Sequence, residues 1–278
     1  MSIIDDKVWM ITGCSGGLGR AIAQEVLQRG GKLVATARQL SSIADLERVA
    51  PDRVLPLALD VTKPQDIATA MTAVEARFGQ IDVLVNNAGS MVLGAVEEVT
   101  MADLREQLEV VFFGAAEVTK AVLPLMRRQG SGMIVQMSSL GGVKTFPGFG
   151  AYHAAKYALE GLSEALATEL APLGVQVMIV EPGAFRTEFN RNKRSVPEIE
   201  AYRDSSGATR VMTRGLLDTE PNDPVKGAAA IVKAIDSDGP PLHLLLGGDA
   251  VDGMREHHES FLAEVAAWEA LSRSTTMA

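Results

Sequence analysis

Cysteine is almost absent from this chain of 278 residues, and Cys14 is its single example. One thiol cannot form an internal disulfide, so nothing in the sequence points to an oxidising compartment. Residues 1–7 include Asp5 and Asp6 and contain no long apolar run, which is not the pattern of a secretory signal. We therefore expect a cytoplasmic protein.

Long hydrophobic runs and clusters of basic residues are also lacking. No stretch approaches the roughly 18 consecutive apolar residues of a membrane-spanning helix, so no membrane partner is expected. The formal net charge is −9 and the Lys and Arg residues are scattered, whereas nucleic-acid binding needs a concentrated basic surface. Hydrophobic residues make up 47% of the chain, enough for a sizeable core. We expect one domain over residues 1–278.

Short apolar runs alternate with amphipathic stretches along the chain. Strands are predicted at 8–11, 32–37, 54–59, 81–85, 133–137, 175–180 and 242–246, and helices at 18–29, 64–78, 100–129, 152–173, 224–235 and 249–273. This order is typical of parallel strands joined by helical crossovers, and it predicts an α/β fold with a doubly wound, Rossmann-like sheet. Residues 186–222 break the pattern, and we expect them to form a small flexible lobe over the substrate.

Three local features refine these helices. Thr62 is expected to cap the helix at 64–78, and Thr100 with Asp103 resembles a capping box at the start of the long helix. The last helix carries an apolar stripe at spacings of three and four, which predicts burial in the core, with a subunit contact as the alternative. The stripe consists of Phe261, Leu262, Val265, Trp268 and Leu271.

A glycine-rich turn over residues 12–19 separates the first strand from the first helix. Glycine lets the backbone approach a pyrophosphate that binds at the helix N-terminus. The spacing Thr-Gly-x-x-x-Gly-x-Gly resembles the nucleotide-binding motif of the short-chain dehydrogenase/reductase family. The resemblance implies cofactor contacts from Gly13, Ser15, Gly17, Leu18 and Gly19.

The end of the second strand bears on the choice of dinucleotide. An acidic residue there would bind the ribose 2′-hydroxyl of NAD and repel the 2′-phosphate of NADP. Ala37 occupies the position that resembles the family's acidic residue, and Arg38 follows it. Because a guanidinium binds phosphate bidentately and stacks on adenine, we predict NADP(H) as the cofactor. The alternative is that Arg38 is a solvated loop charge.

Three further segments match the family at the ends of strands. Asp60-Val61 resembles its adenine-contacting pair, Asn86-Asn87-Ala88-Gly89 its NNAG motif, and the segment from Pro182 to Thr187 the part that packs on the nicotinamide. Either of the first two segments alone could be an ordinary turn, since Asx and Gly are frequent in turns. The resemblance implies cofactor contacts from Asp60, Val61, Asn87, Ala88, Gly89, Pro182, Gly183, Phe185 and Thr187.

The residues expected to carry the chemistry are Ser139, Tyr152 and Lys156. Tyr152 and Lys156 are four residues apart on one helix face, and Ser139 lies thirteen residues upstream of Tyr152. This Ser…Tyr-x-x-x-Lys arrangement is similar to the family's active site. Reduction of a ketone by hydride leaves an alkoxide that needs a proton. A lysine ammonium about 4 Å away would lower the pKa of a phenol by up to about three units, before desolvation opposes it.

We therefore expect Tyr152 to act as the general acid and base. The resemblance implies that Ser139 holds the substrate oxygen, and that Lys156 also anchors the nicotinamide ribose and is a cofactor contact together with Tyr152. One position departs from the family: its helix asparagine, part of a proton relay, corresponds to Val111, whose side chain cannot form hydrogen bonds. Either the relay takes another route or turnover is slower.

The leading hypothesis is an NADP(H)-dependent oxidoreductase that acts on a small-molecule ketone or secondary alcohol. An apolar pocket, and hence a lipophilic substrate, is suggested by Val92, Leu93, Val143, Phe146 and Phe149. The alternatives are a non-catalytic NADP(H) sensor or scaffold, and an epimerase or dehydratase on the same fold. The resemblance implies a homodimer or homotetramer. The four histidines, His153, His243, His257 and His258, show no zinc-binding spacing, so no metal site is predicted.

Overall fold

The computed structural model describes residue 4 and residues 6–277. Residues 1–3, 5 and 278 lie outside the described residues. They include part of the N-terminal segment that is not expected to be a signal, and both ends of the predicted domain. The strands are β1 (Val8–Ile11), β2 (Lys32–Ala37), β3 (Val54–Ala58), β4 (Val83–Asn86), β5 (Val92–Leu93), β6 (Gly132–Met137), β7 (Val175–Pro182), β8 (Arg194–Ser195) and β9 (His243–Leu246). The α-helices are α1 (Gly17–Gln28), α2 (Ala44–Val49), α3 (Pro64–Arg77), α4 (Met101–Leu108), α5 (Gly114–Gln129), α6 (Gly150–Leu170), α7 (Glu188–Arg191), α8 (Ala208–Gly215), α9 (Pro224–Ile235) and α10 (Gly248–Arg273).

The seven predicted strands form one parallel sheet in the order β3-β2-β1-β4-β6-β7-β9. Strands β1 and β4 are buried along their whole length, and apolar except for Asn86 at the end of β4, because helices cover both faces. Each face packs its own hydrophobic core. The strand order reverses between β1 and β4, and in such sheets the crevice at this point, beyond the carboxyl ends of the strands, is where ligands bind. The predicted doubly wound, Rossmann-like fold is confirmed.

The two predicted helix caps have different outcomes. The capping box is present, since Thr100 Oγ1 accepts a hydrogen bond from the Asp103 backbone N–H and Asp103 Oδ2 accepts one from the Thr100 N–H, both at 3.1 Å. The Thr62 cap is wrong. Helix α3 begins after Lys63, and Thr62 donates its hydroxyl to Asp60 Oδ1 at 2.7 Å. A local turn around the aspartate competes with capping for the threonine hydroxyl.

The long helix predicted at 100–129 is interrupted. A π-helical turn over Glu109–Phe113 joins α4 to α5, and Val111 lies within it, 1% exposed. Wide turns of this kind are rare and occur often at functional sites. The departure from the family pattern therefore lies at a local distortion of the helix.

Residues 186–222 are more regular than expected. They contain α7, β8 and α8, and β8 pairs in parallel with β5. A buried ion pair, Arg210 Nη2 to Glu98 Oε2 at 2.7 Å, fastens this lobe to the loop after β5. The prediction that this segment lacks regular elements is wrong, because helices and strands of two to eight residues are too short to show a period.

The apolar stripe of the last helix is exposed, and its predicted burial in the core is wrong. Ala250 near the start of α10 is buried, but the five stripe residues, Phe261 to Leu271, are 48–63% exposed. The alternative of a subunit contact stays a prediction. Among the described residues, no helix combines the length and apolar character needed to cross a membrane.

Candidate active site

The glycine-rich turn between β1 and α1 depends on glycine at several positions. Gly13 and Gly17 have φ angles of +75° and +58°, which residues with a side chain rarely adopt. A Cβ at Gly19 would lie 2.3 Å from the side chain of Asn87. No described side chain caps the first turn of α1, and that turn contains no acidic residue. Its backbone N–H groups are therefore available to an anion, and Ser15 lies exposed in the same turn.

Asn87 braces this turn from the loop after β4. Its Nδ2 donates to the carbonyl oxygens of Thr12 at 2.9 Å and Gly13 at 3.2 Å. Thr12 Oγ1 accepts hydrogen bonds from the backbone N–H groups of Asn87 and Ala88, both at 2.9 Å. The bracing role of Thr12 was missed by the sequence analysis, because its partners are more than seventy residues away.

Arg38 lies at the same edge of the sheet as the glycine-rich turn. Strand β2, which it follows, is paired directly with β1. Ala37 ends β2 as a buried residue, and Arg38 beyond it is exposed. A basic residue, and not an acidic one, therefore follows β2 at the sheet edge that carries the glycine-rich turn.

Asp60 and Val61 follow β3, one strand further out. Asp60 Oδ1 accepts hydrogen bonds from the Thr62 N–H at 3.1 Å and hydroxyl at 2.7 Å. Partial burial acts to raise the pKa of Asp60, but the Thr62 hydrogen bonds and two nearby basic side chains lower it overall. The Val61 side chain is buried against Gly114, so a nucleotide could contact only the backbone of this residue.

A cavity of about 770 Å³ opens at the carboxyl edge of the sheet. The structure brings ten of the predicted site residues together in its wall: Leu18, Asn87, Gly89, Ser139, Tyr152, Lys156, Pro182, Gly183, Phe185 and Thr187. The remaining predicted residues lie outside this wall, namely Gly13, Ser15, Gly17, Gly19, Arg38, Asp60, Val61 and Ala88. Thr187 bridges the two groups, because a Cβ at Gly17 would lie 3.6 Å from its side chain.

Tyr152 and Lys156 extend from α6 into the floor of the cavity. The hydroxyl of Ser139, just after β6, accepts a hydrogen bond from the Gly141 N–H at 3.0 Å and lies close enough to the Tyr152 phenol to affect its pKa. Lys156 Nζ donates to the Met137 carbonyl oxygen at 2.5 Å and lies 5.7 Å from the centre of the Tyr152 ring. The loop after β6 thus brings the Ser139 hydroxyl to two side chains, Tyr152 and Lys156, that are one turn apart on α6.

The pKa of Tyr152 is shifted in the direction opposite to the one expected. Burial raises the pKa of Tyr152 to about 12, and the nearby Ser139 hydroxyl opposes this only in part. Burial lowers the pKa of Lys156 to about 8. Desolvation is the largest effect on both groups and outweighs the expected Coulomb attraction between them. The expectation that Lys156 makes the phenol acidic is wrong for this arrangement.

The wall facing these residues is largely apolar. Phe146 and Phe149 line it. Val92, Leu93 and Val143 do not, because Val92 and Leu93 are buried in β5. Phe189 on α7 was missed by the sequence analysis, and its ring centre lies 6.1 Å from that of Tyr152. Further lining comes from Met91, Leu140, Met212 and Leu216.

The residues present fit a nicotinamide dinucleotide. An uncapped helix end lies beside the glycines, and a cavity leads from that turn to Tyr152. An anion-binding end and an apolar chamber with few polar groups are the two parts that such a ligand requires. The arrangement can bind a dinucleotide and present a proton donor to a small substrate.

Comparison with known proteins agrees with this geometry. The model of the short chain dehydrogenase family matches residues 7–198. An oxidoreductase of Botryotinia fuckeliana is 40% identical over 96% of this chain and 98% of its own length. A short-chain dehydrogenase from Streptomyces avermitilis superposes with a TM-score of 0.92, at 46% identity over 98% of this chain and 100% of the other. A Burkholderia phymatum short chain dehydrogenase/reductase in complex with NAD superposes with a TM-score of 0.84, at 26% identity over 95% and 97% of the two chains. This chain therefore belongs to the short-chain dehydrogenase family of oxidoreductases.

Proposed function

We propose that this chain is an NADP(H)-dependent oxidoreductase that transfers a hydride between the nicotinamide and the carbon of a ketone or secondary alcohol. The observation that supports this most strongly is that Ser139, Tyr152 and Lys156 lie together in the wall of the cavity beside the glycine-rich turn. Arg38 at the end of β2 supports NADP(H) over NAD(H). From the cysteine content and the family, we also expect a cytoplasmic homodimer or homotetramer.

Ser139, Tyr152 and Lys156 have separate roles in the proposed reaction. The bound cofactor supplies a hydride donor or acceptor at C4 of its nicotinamide. Ser139 donates a hydrogen bond to the substrate oxygen, and Tyr152 gives its proton to that oxygen as the carbon is reduced, or takes it back in the reverse direction. A phenol with a pKa of about 12 remains protonated near neutral pH, and an alkoxide is basic enough to accept its proton. Lys156 anchors the ribose.

The other predicted residues position the dinucleotide. Gly13, Ser15, Gly17, Leu18 and Gly19 surround the phosphates, with Thr187 above them. Asp60 and Val61 lie at the adenine end. Asn87, Ala88 and Gly89 form the middle of the crevice, and Pro182, Gly183 and Phe185 pack on the nicotinamide. The apolar wall around Phe146, Phe149 and Phe189 supports a lipophilic substrate.

The decisive experiment combines a substrate panel with a conservative variant. NADPH absorbance is followed with lipophilic and polar ketones, with NADH in parallel. Tyr152→Phe should lose about 10²–10⁴-fold in kcat while NADPH binding, measured by fluorescence, is kept. Tyr157→Phe is the matched control, since Tyr157 is the next tyrosine on α6 and does not line the cavity. Full activity of Tyr152→Phe would refute the assignment.

The same assay separates the two alternatives. NADPH binding without oxidation of NADPH by any ketone would favour a sensor or scaffold. Conversion of a substrate without net change in NADPH would favour an epimerase or dehydratase.

A further inference from the structure

A second cluster of ionisable side chains lies one helical turn beyond Lys156. Glu160 on α6, Glu181 on β7 and His243 at the start of β9 each bring one potential ligand atom within 4.8 Å of the other two. Glu160 is 5% exposed and Glu181 is completely buried. The three residues are far apart in the sequence, so no spacing motif could reveal them.

The carboxylate oxygens of this cluster are poorly satisfied. Apart from the Ser138 hydroxyl beside Glu160, no described residue offers a hydrogen bond to either oxygen of Glu160 or to Oε2 of Glu181. Lys156 acts on Glu160 only through space, because its Nζ donates to the Met137 carbonyl oxygen and not to a carboxylate. Two facing carboxylates deprived of water need a proton or a cation to compensate their charge.

The distances suit a single small cation. His243 Nδ1 lies 3.1 Å from Glu181 Oε1 and 3.9 Å from Glu160 Oε2. Ligands about 2.0–2.1 Å from a tetrahedral zinc ion lie about 3.4 Å from one another, a value between these two distances. Glu164 Oε1 lies 3.8 Å from His243 Nε2, where an outer carboxylate orients a metal-bound imidazole. The His243 side chain is 39% exposed, so an ion can enter from solvent.

We propose that Glu160, Glu181 and His243 bind a divalent transition-metal ion of the zinc type. Two carboxylates and a neutral imidazole form a mixed oxygen and nitrogen ligand set that such ions accept. Bound there, the ion ties α6 and β7 to the edge strand β9. The proposal does not depend on the oxidoreductase function.

The test is isothermal titration calorimetry. Metals are first removed from the full chain with a chelator, and Zn²⁺ is then titrated into it. The wild-type chain should bind one Zn²⁺, and Glu181→Gln and His243→Gln should each weaken binding at least about tenfold. His257→Gln is the matched control, because it removes a histidine of α10 outside the cluster and should leave binding unchanged. Co²⁺ in place of Zn²⁺ should give visible absorption of a low-coordinate site that both cluster variants lose.

Two outcomes would overturn the proposal. Absence of stoichiometric Zn²⁺ binding by the wild-type chain would mean that protons and the His243–Glu181 pair alone compensate the carboxylates. Equal binding by all variants would assign the ion to surface histidines. Melting curves establish whether each variant is folded. If Glu181→Gln does not fold, the Zn²⁺ affinity of His243→Gln tests the proposal, because this variant changes a partly exposed side chain. None of these readouts uses cofactor or substrate.

Discussion

The imidazole Nε2 of His153 accepts a hydrogen bond from the backbone N–H of Phe146 at 2.8 Å, and this contact determines the tautomer of the ring. An amide N–H can only donate, so Nε2 carries no proton and Nδ1 donates to the Gly141 carbonyl oxygen at 2.7 Å. The neutral imidazole therefore joins two parts of the loop between β6 and α6 that forms one wall of the cavity.

Acid should weaken the fold through His153. Burial lowers the pKa of His153 below its ordinary value of 6.5, so the unfolded chain binds the proton first as pH falls. The contribution to stability is complete above about pH 6.5 and is lost as pH falls from there through the lower folded pKa. The melting temperature should therefore fall more between about pH 8 and about pH 5 in the wild type than in His153→Leu.

The free energy of unfolding of His153→Leu near neutral pH measures how much the two hydrogen bonds of the ring stabilise the fold. The substitution leaves the Phe146 N–H and the Gly141 carbonyl unpaired and should cost about 1–3 kcal/mol for each group that water cannot reach. His257→Gln should follow the wild type at every pH. Equal acid sensitivity of wild type and His153→Leu would contradict the assigned tautomer.

Removal of the buried cation of the lobe should destabilise the protein strongly. Arg210 and Glu98 side chains are only 2% and 1% exposed, so Arg210→Met leaves a buried carboxylate without its partner and should cost about 3–5 kcal/mol in urea unfolding. The double variant Glu98→Gln/Arg210→Met should lose less, because the amide carries no charge. Arg203→Met, which breaks only an exposed pair with Glu200, should change little. Additive losses in the double variant would show that the two side chains act independently.

Tyr152 should stay protonated far into the alkaline range. Burial raises its pKa to about 12, and the pKa values of the other two tyrosines, Tyr157 and Tyr202, are also raised, by burial and by the Glu97 carboxylate respectively. Ultraviolet titration of the protein without nucleotide should show no phenolate at about pH 8. A phenolate signal there that Tyr152→Phe abolishes would restore the expectation that Lys156 dominates.

Arg38 should control the preference between the two dinucleotides. Loss of a charge-assisted hydrogen bond to the 2′-phosphate costs about 1.5–3 kcal/mol, so Arg38→Ala should raise KM for NADPH by about 10–100-fold with little effect on NADH. Arg127→Ala, an exposed arginine of α5, is the matched control. An equal change in KM for NADPH and NADH would mean that Arg38 does not bind the 2′-phosphate.

The sheet could be predicted from the sequence because its central strands are buried on both faces and their apolar runs end at glycine or polar turns. Strand β2 illustrates this, since it begins at Lys32 and ends at Ala37 in both the prediction and the structure. The short elements α7, β8 and α8 could not be predicted, because their stability comes from contacts such as Arg210 with Glu98 and not from a local period.

Two further errors have distinct physical causes. A period of three and four shows that Phe261 and Trp268 share a face of α10, but it does not show what covers that face. The sign of the Tyr152 pKa shift depends on how deeply the ring is buried and where the Lys156 ammonium points. Neither quantity is visible in a spacing of four residues.

The pairing of β5 with β8 has a consequence for protein engineering. Residues 92–93 supply the edge on which residues 194–195 lie, and Glu98 supplies the counter-charge for Arg210. Transfer of residues 186–222 alone into another protein would separate β8 from the β5 edge and Arg210 from the Glu98 carboxylate. A chimera with altered specificity therefore has to exchange residues 90–99 and 186–222 as one cassette.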